Sequence, residues 1–221
     1  MPLDAQRARR FYDRVGRLQD TQRFYEDAAT RRLVQIADVD EARSVFELGC
    51  GTGRFAAELL AGELPGDARY VGVDVSPVMV RLARARLAVW APRAGIHLLE
   101  PPARVLRGAD GSCDRFVAAY VFDLLASDDA SALLGEAHRL LMPTGRLALV
   151  GLTHGTTPAS RAVSGVWGAL ALRWPGLLGG CRPLELCDLR DVSWWRVLSR
   201  EMITSWAVPS EVLVAARLEG P

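Results

Sequence analysis

The fold of this chain is indicated first by one run of ten residues, Val45-Phe46-Glu47-Leu48-Gly49-Cys50-Gly51-Thr52-Gly53-Arg54. An apolar run contains an acid, glycines then follow at alternate positions, and a segment with a helical pattern begins directly afterwards. Glycine permits positive φ and lets a ligand approach the backbone with no Cβ in the way. The order therefore predicts a strand, a tight ligand-binding loop and a helix.

A second apolar run, Tyr70-Val71-Gly72-Val73, ends at Asp74. An acid at the tip of the next parallel strand is placed to bind the ribose hydroxyls of a nucleotide-like ligand. The dinucleotide fingerprint G-x-G-x-x-G/A, aligned on Gly49 and Gly51, needs a small residue where this chain has Arg54. The spacing therefore disfavours a dinucleotide, and a glycine-rich turn in an ordinary α/β protein is the simplest alternative to a ligand loop.

Strand-like and helix-like segments alternate after residue 44. We predict strands at 44–48, 69–73, 96–99, 114–120 and 146–152, and helices at 53–62, 77–90 and 128–141. Two helical segments precede them within residues 5–37, and a short helix near 183–192 follows an insertion. Two last strands, 195–207 and 210–218, are expected to join at Pro209. Repeated βα units predict a parallel sheet with helices on both faces.

The composition fits one domain with a full-sized core. Half of the 221 residues are apolar, and the formal net charge is +1, so nothing indicates a nucleic-acid surface. All 27 basic residues are arginine, which excludes Schiff-base lysine chemistry and a P-loop lysine. The four cysteines show neither a C-x-x-C pair nor zinc-ligand spacing, so we expect reduced thiols and no metal site. No apolar signal-peptide core begins the chain, and we expect a cytoplasmic protein.

Four motifs in order resemble those of class I S-adenosylmethionine (SAM) dependent methyltransferases, in the ubiquinone/menaquinone-biosynthesis-like group. The first is E-x-G-x-G-x-G from Glu47 to Gly53, and the second is Val73-Asp74-Val75-Ser76 with Met79. The third, Asp110-Gly111-Ser112-Cys113-Asp114-Arg115-Phe116, is similar to "DGSFDxV". The fourth, Leu141-Met142-Pro143-Thr144-Gly145-Arg146-Leu147, is similar to "LKPGGRL".

The resemblance implies a Rossmann-like α/β fold with seven strands in the order 3-2-1-4-5-7-6, strand 7 being antiparallel. It also implies SAM as the cofactor, bound at the carboxyl ends of strands 1 and 2. Gly49, Gly51 and Gly53 would face the methionine part of SAM, with Cys50 in the same loop. Glu47 would help to hold the ammonium group through the loop.

At the adenosine end, the resemblance implies that Asp74 binds both ribose hydroxyls and that Val75 and Met79 pack beside the adenine. The family usually has an acid just after strand 3 that meets the adenine amino group. In this chain that place falls on a proline at 101 or 102. Glu100 lies one or two residues early and is the candidate substitute, with a solvated strand end as the alternative.

Methyl transfer from a sulfonium is an in-line displacement, so alignment is required whereas a general base is optional. Acceptor-binding groups are expected at the ends of strands 4 and 5, where Tyr120, Asp123 and His154 are the candidates. His154 is the candidate base because imidazole titrates near neutrality, and an exposed loop histidine is the alternative. Asp123 would orient the substrate or cap a helix. Trp167 and Trp174 are candidates for the substrate pocket.

We therefore predict a single SAM-dependent methyltransferase domain over residues 1–221, acting at oxygen, nitrogen or carbon of a small apolar or aromatic molecule. Residues 1–40, with Tyr12 and Tyr25, would form a helical lid, and residues 153–182 a substrate-side insertion. The alternatives are a SAM-binding partner or sensor without transferase activity and, less favoured, a nicotinamide-dependent oxidoreductase. We expect no nucleic-acid partner and no transmembrane segment, and peripheral contact with lipid is left open.

Overall fold

A computed structural model of the protein describes residues 5–16, 23–100, 103–173, 183–186 and 194–218. The described strands are β1 (Ser44–Leu48), β2 (Arg69–Asp74), β3 (Ala94–Leu98), β4 (Cys113–Ala119), β5 (Leu141–Leu152), β6 (Trp195–Ser205) and β7 (Val208–Arg217). The described helices are α1 (Ala5–Val15), α2 (Arg23–Ile36), α3 (Arg54–Glu58), α4 (Pro77–Arg86), α5 (Ser127–Leu140) and α6 (Pro158–Arg173). A π-helical turn, Leu59–Glu63, continues α3.

The strands pair into one sheet in the order β3-β2-β1-β4-β5-β7-β6. The pairs from β3 to β5 are parallel, whereas β7 runs antiparallel to both β5 and β6. This confirms the predicted strand order and the antiparallel seventh strand. The parallel carboxyl ends of β1, β2 and β4 meet at one edge, with the sheet order reversing between β1 and β4.

Apolar side chains alternate between the two faces of the sheet and build a core on each. Val45, Val117 and Val150 belong to one cluster, whereas the neighbouring Phe46 and Phe116 belong to the other. Helices α2 and α4 contribute to the first cluster and α5 to the second. Because successive strand residues point to opposite faces, a strand covered by helices on both sides is apolar at nearly every position.

Two predicted boundaries were wrong. The strand predicted to begin at residue 146 begins at Leu141, directly after α5, because Leu141 pairs with Cys113 across an irregular register. The turn predicted at Pro209 lies instead at Trp206 and Ala207, both with positive φ, and Pro209 is part of β7. Of the short helix predicted near 183–192, residues 187–192 lie outside the described residues.

None of the helices in the described part of the chain combines the length and the apolar character that crossing a bilayer requires.

Candidate functional site

The glycine loop leaves the end of β1 and enters α3 through backbone conformations that favour glycine. Gly49 and Gly53 have φ of 74° and 73°. A Cβ on Gly49 would overlap Val121 Cγ2, and one on Gly53 would lie 3.0 Å from Ala83. The N–H groups of Gly49 and Cys50 donate to Val73 O at 2.8 and 3.0 Å, which ties the loop to the end of β2.

Asp74 closes the loop from the tip of β2. Its Oδ2 accepts a hydrogen bond from Gly51 N at 2.9 Å, and its Oδ1 accepts one from Ser76 N at 2.8 Å. Burial raises the pKa of Asp74 to about 6, against the lowering effect of these two backbone donors. The carboxylate therefore braces the loop and also stands at the wall of the cavity described next.

An open cavity lies at the carboxyl edge of the sheet, between the glycine loop and α5. The residues that line it are Tyr12, Leu48, Gly49, Gly51, Val73, Asp74, Val75, Leu99, Ala103, Ala119, Tyr120, Val121, Leu124, Leu125, Asp129 and Leu133. Five of the candidate cofactor-binding and catalytic residues are thus brought together around one space: Gly49, Gly51, Asp74, Val75 and Tyr120. Large clefts with apolar walls and few polar groups are typical ligand sites.

Other residues named for the cofactor are placed around this cavity without lining it. Gly53 caps α3, and the buried Cys50 has a thiol pKa that burial raises well above its usual value. Met79 is fully buried, and its N–H donates to Ser76 Oγ at 3.1 Å at the start of α4. Glu100 is exposed, and its backbone carbonyl accepts a hydrogen bond from Ala103 N at 3.0 Å.

Glu47 lies beneath the loop in β1, where it is 2% exposed. The hydroxyl of the buried Tyr70 donates to Glu47 Oε2. Burial raises the pKa of Glu47 to about 8, which outweighs the opposing effect of the Tyr70 hydrogen bond. The carboxyl group is therefore mostly protonated at neutral pH and supports the loop from inside the protein.

Of the three candidate catalytic residues, Tyr120 lines the cavity, whereas Asp123 and His154 do not. Tyr120 lines the cavity in a left-handed conformation, with φ of 55°, and its hydroxyl lies 2.9 Å from Ser210 Oγ. Asp123 is fully buried beside β5, its Oδ2 lying 3.4 Å from Leu152 N. His154 is exposed just after β5 and is not among the residues lining the cavity.

An aromatic cluster connects the N-terminal helices to this edge of the sheet. The Tyr25 ring meets those of Tyr120 and Trp167 edge-on, with centroids 5.7 and 6.0 Å apart. On α1, Tyr12 lines the cavity, and Asp13 Oδ1 accepts a hydrogen bond from Ser76 Oγ at 2.6 Å. Trp174, also named for the substrate pocket, lies outside the described residues.

Several lining residues were missed from the sequence. These residues reach the cavity only because the sheet brings their elements together. They are Leu99 and Ala103 near the end of β3, Leu125 before α5, and Asp129 and Leu133 within α5. Asp129 follows a serine and another acid at a helix start, so its sequence context indicates no more than a favourable first turn.

Comparison with known proteins agrees with this geometry. The model of a methyltransferase domain family matches residues 45–145. A demethylmenaquinone methyltransferase of Thermus thermophilus is 34% identical over 120 residues, covering 54% of this chain and 52% of that protein. A trans-aconitate 2-methyltransferase of Azoarcus sp. is 33% identical over 177 residues, covering 76% of this chain and 59% of that protein. This chain thus spans between half and three fifths of these two relatives.

Among solved structures, the N-methyltransferase NodS of Bradyrhizobium japonicum in complex with S-adenosyl-L-homocysteine superposes with a TM-score of 0.66. The match covers 88% of each chain at 16% identity, so it shows a shared fold. The methyltransferase-domain match at residues 45–145, set in a sheet of the expected order, makes this chain similar to the class I SAM-dependent methyltransferases.

Proposed function

We propose that this protein binds SAM in the cavity beside the glycine loop and transfers its methyl group to a small apolar or aromatic molecule. The observation that carries this proposal is the cavity itself, which joins Gly49, Gly51, Asp74 and Tyr120 in one space. The residues present fit the cofactor, because the loop positions nearest the cavity carry no side chain and an acid stands at the β2 tip.

Each part of the cofactor has a counterpart in this site. Asp74 would accept hydrogen bonds from the ribose hydroxyls while it keeps those from the loop N–H groups, since a carboxylate can accept about four. Gly49 and Gly51 would let the methionine part approach the backbone. Val75 would offer apolar contact to the adenine ring. SAM supplies the activated methyl group, and the protein contributes alignment and exclusion of water.

The lining supports an apolar acceptor over an acidic one. The ionisable side chains that line the cavity are carboxyls and tyrosine hydroxyls, namely Asp74, Asp129, Tyr12 and Tyr120, among leucine, valine and alanine. An acceptor with several carboxylates, as the name trans-aconitate 2-methyltransferase implies for that relative, would meet like charge here. A neutral ring of the type named for demethylmenaquinone methyltransferase would not.

Tyr120 and His154 would have different tasks. Tyr120 faces the cavity and is held by Ser210, so it can align an acceptor. His154 keeps its proposed role as base for acceptors that lose a proton, because it follows β5 at the same edge of the sheet. The His154→Ala variant should lower turnover while leaving SAM affinity unchanged, and unchanged turnover would remove the histidine from the mechanism.

The proposed function is tested by binding and turnover on the full chain. Calorimetry with SAM and S-adenosylhomocysteine should show binding, and Asp74→Asn should weaken it by roughly tenfold or more, because an amide cannot replace a carboxylate that accepts on both oxygens. Asp67→Asn, the same change at an exposed position, is the matched control.

Incubation with SAM and a panel of quinols, phenols, amines and trans-aconitate should then release S-adenosylhomocysteine with a quinol or phenol. Binding without turnover across the panel would favour a SAM-binding partner or sensor. Thermal stabilisation by NAD or NADP alone would point instead to the oxidoreductase and overturn the proposal.

A further inference from the structure

An acid reaches the cavity from α5. Asp129 lines the same cavity as Val75, Ala103, Leu125 and Leu133. Glu100, the candidate for the acid after β3, is exposed and is not among the residues that line the cavity. The cavity therefore receives this carboxylate from a different element than the family pattern implies.

Asp129 is held in this position by Arg104. Arg104 Nε donates to Asp129 Oδ1 at 2.6 Å, and the Asp129 side chain is 27% exposed. Arg104 follows Ala103, which lines the cavity and has φ of 50°. Arg104 donates to Oδ1 of Asp129, and a carboxylate has about four acceptor sites. The Asp129 carboxylate can therefore also accept a hydrogen bond from a ligand.

The chemistry of this lining suits a flat ring that carries an amino group. Val75 and Leu125 supply apolar surface, and Asp129 supplies a charged acceptor. An exocyclic amino group donates to a carboxylate, whereas a carbonyl oxygen in the same place would face it as a second acceptor. The arrangement therefore distinguishes a 6-amino purine from a 6-oxo purine.

We propose that Asp129, positioned by Arg104, accepts a hydrogen bond from the adenine amino group and so makes the site specific for the adenosyl cofactor. This inference rests on the proposed function, since it assigns the adenine end of the same cavity. Under this proposal, the residue that recognises the adenine amino group lies in the first turn of α5 and not in the segment after β3.

The test compares S-adenosylhomocysteine with S-inosylhomocysteine, in which a carbonyl replaces the 6-amino group, by calorimetry on the full chain. The wild-type protein should prefer S-adenosylhomocysteine by roughly tenfold to hundredfold, the range expected when a hydrogen bond to a charged group is lost. Asp129→Ala should bind S-adenosylhomocysteine more weakly and reduce the preference to about twofold or less.

Asp129→Asn provides a second variant of nearly the same shape. Its amide can donate to the inosine carbonyl, so the preference should narrow or reverse while the fold is kept. Asp128→Ala removes an exposed acid from the same helical turn and should leave the preference at the wild-type value. Arg104→Met should reduce the preference less than Asp129→Ala, because it removes only the positioning contact.

The outcomes are separable. Loss of the preference in both Asp129 variants, with the Asp128 control unchanged, supports the assignment. A full preference retained by Asp129→Ala overturns it while leaving the proposed function intact. A wild-type protein that binds neither compound overturns the proposed function, and the assignment of Asp129 with it.

Discussion

At the scale of single residues, hydrogen bonds within the protein hold the glycine loop in place. Asp74 already accepts hydrogen bonds from Gly51 N and Ser76 N, and Val73 O accepts two more from the loop. The backbone that would contact the cofactor is therefore preorganised, which limits the entropy lost on binding. The positive φ at Gly49 and its close approach to Val121 are the features that a side chain would disturb first.

Gly49→Ala should therefore destabilise the protein and weaken cofactor binding. Positive φ costs a non-glycine residue about 1–2 kcal/mol, and the new Cβ must also displace Val121 Cγ2. We expect a loss of about 2–3 kcal/mol in the free energy of unfolding, measured in urea. Affinity for S-adenosylhomocysteine should fall because the shifted Val121 lines the cavity.

A double variant that carries both Gly49→Ala and Val121→Ala separates the steric overlap from the cost of positive φ. Removing the valine methyl groups relieves the overlap and should recover part of the lost affinity, whereas the cost of positive φ remains. Gly62→Ala, where a Cβ meets nothing within 4 Å, should leave both stability and affinity near wild type. A Gly49→Ala protein with wild-type affinity would show that the loop is not part of the binding site.

At the scale of elements, Arg54 joins helix α2 to the glycine loop. In the sequence this residue only excluded a dinucleotide fingerprint. In the structure it begins α3, and its guanidinium contacts Asp27 at 2.7 Å and Glu26 at 3.3 Å, both on α2. The residue that distinguishes this loop from a dinucleotide loop thus also fixes α2 beside it.

Arg54→Met should loosen this junction and cost about 2 kcal/mol of unfolding free energy at pH 8, because it leaves partly buried carboxylates without their cation. Glu26, whose pKa burial raises to about 7, is ionised at pH 8 and mostly protonated at pH 5.5. The loss should therefore be smaller at pH 5.5. Urea unfolding at the two pH values measures this difference.

Arg31→Met is the matched control, since Arg31 is exposed on α2 and its side chain donates to the backbone carbonyl of Asp27. This variant should lose little stability at either pH. Equal losses of unfolding free energy in the Arg54 and Arg31 variants would mean that the contacts of Arg54 with α2 do not stabilise the protein.

Strand order was predictable from four motifs in sequence, whereas two element boundaries were not. Trp206 and Ala207 form the β6–β7 turn with φ of 53° and 62°, values that a two-residue hairpin normally gives to Asn and Gly. Leu141 joins β5 because its partner Cys113 is available across the sheet, which no local pattern reveals. Asp129 reaches the site for the same reason, since its role depends on the packing of α5 rather than on its neighbours in sequence.

At the scale of the whole molecule, carboxyl groups buried around the loop couple folding to pH. Burial raises the pKa of Glu47 to about 8, that of Glu26 to about 7 and that of Asp74 to about 6. Each folded-state pKa exceeds the unfolded value, so the folded state holds protons that the unfolded state has released. These groups therefore contribute most to stability at acidic pH, and that contribution is lost as the pH rises through the folded-state pKa.

Glu47 dominates this effect above pH 6, because its pKa is the highest of the three and it is buried against Tyr70. Glu47 alone should lower the free energy of unfolding by on the order of 2–3 kcal/mol between pH 6 and pH 9. Glu47→Gln keeps an acceptor for the Tyr70 hydroxyl but cannot ionise, so its stability should vary much less over this range. Urea unfolding at pH 6, 7.5 and 9 measures both curves, with Glu63→Gln as the exposed control. A Glu47→Gln protein that keeps the wild-type slope would place the titrating group elsewhere, since the amide leaves no proton at position 47 to lose.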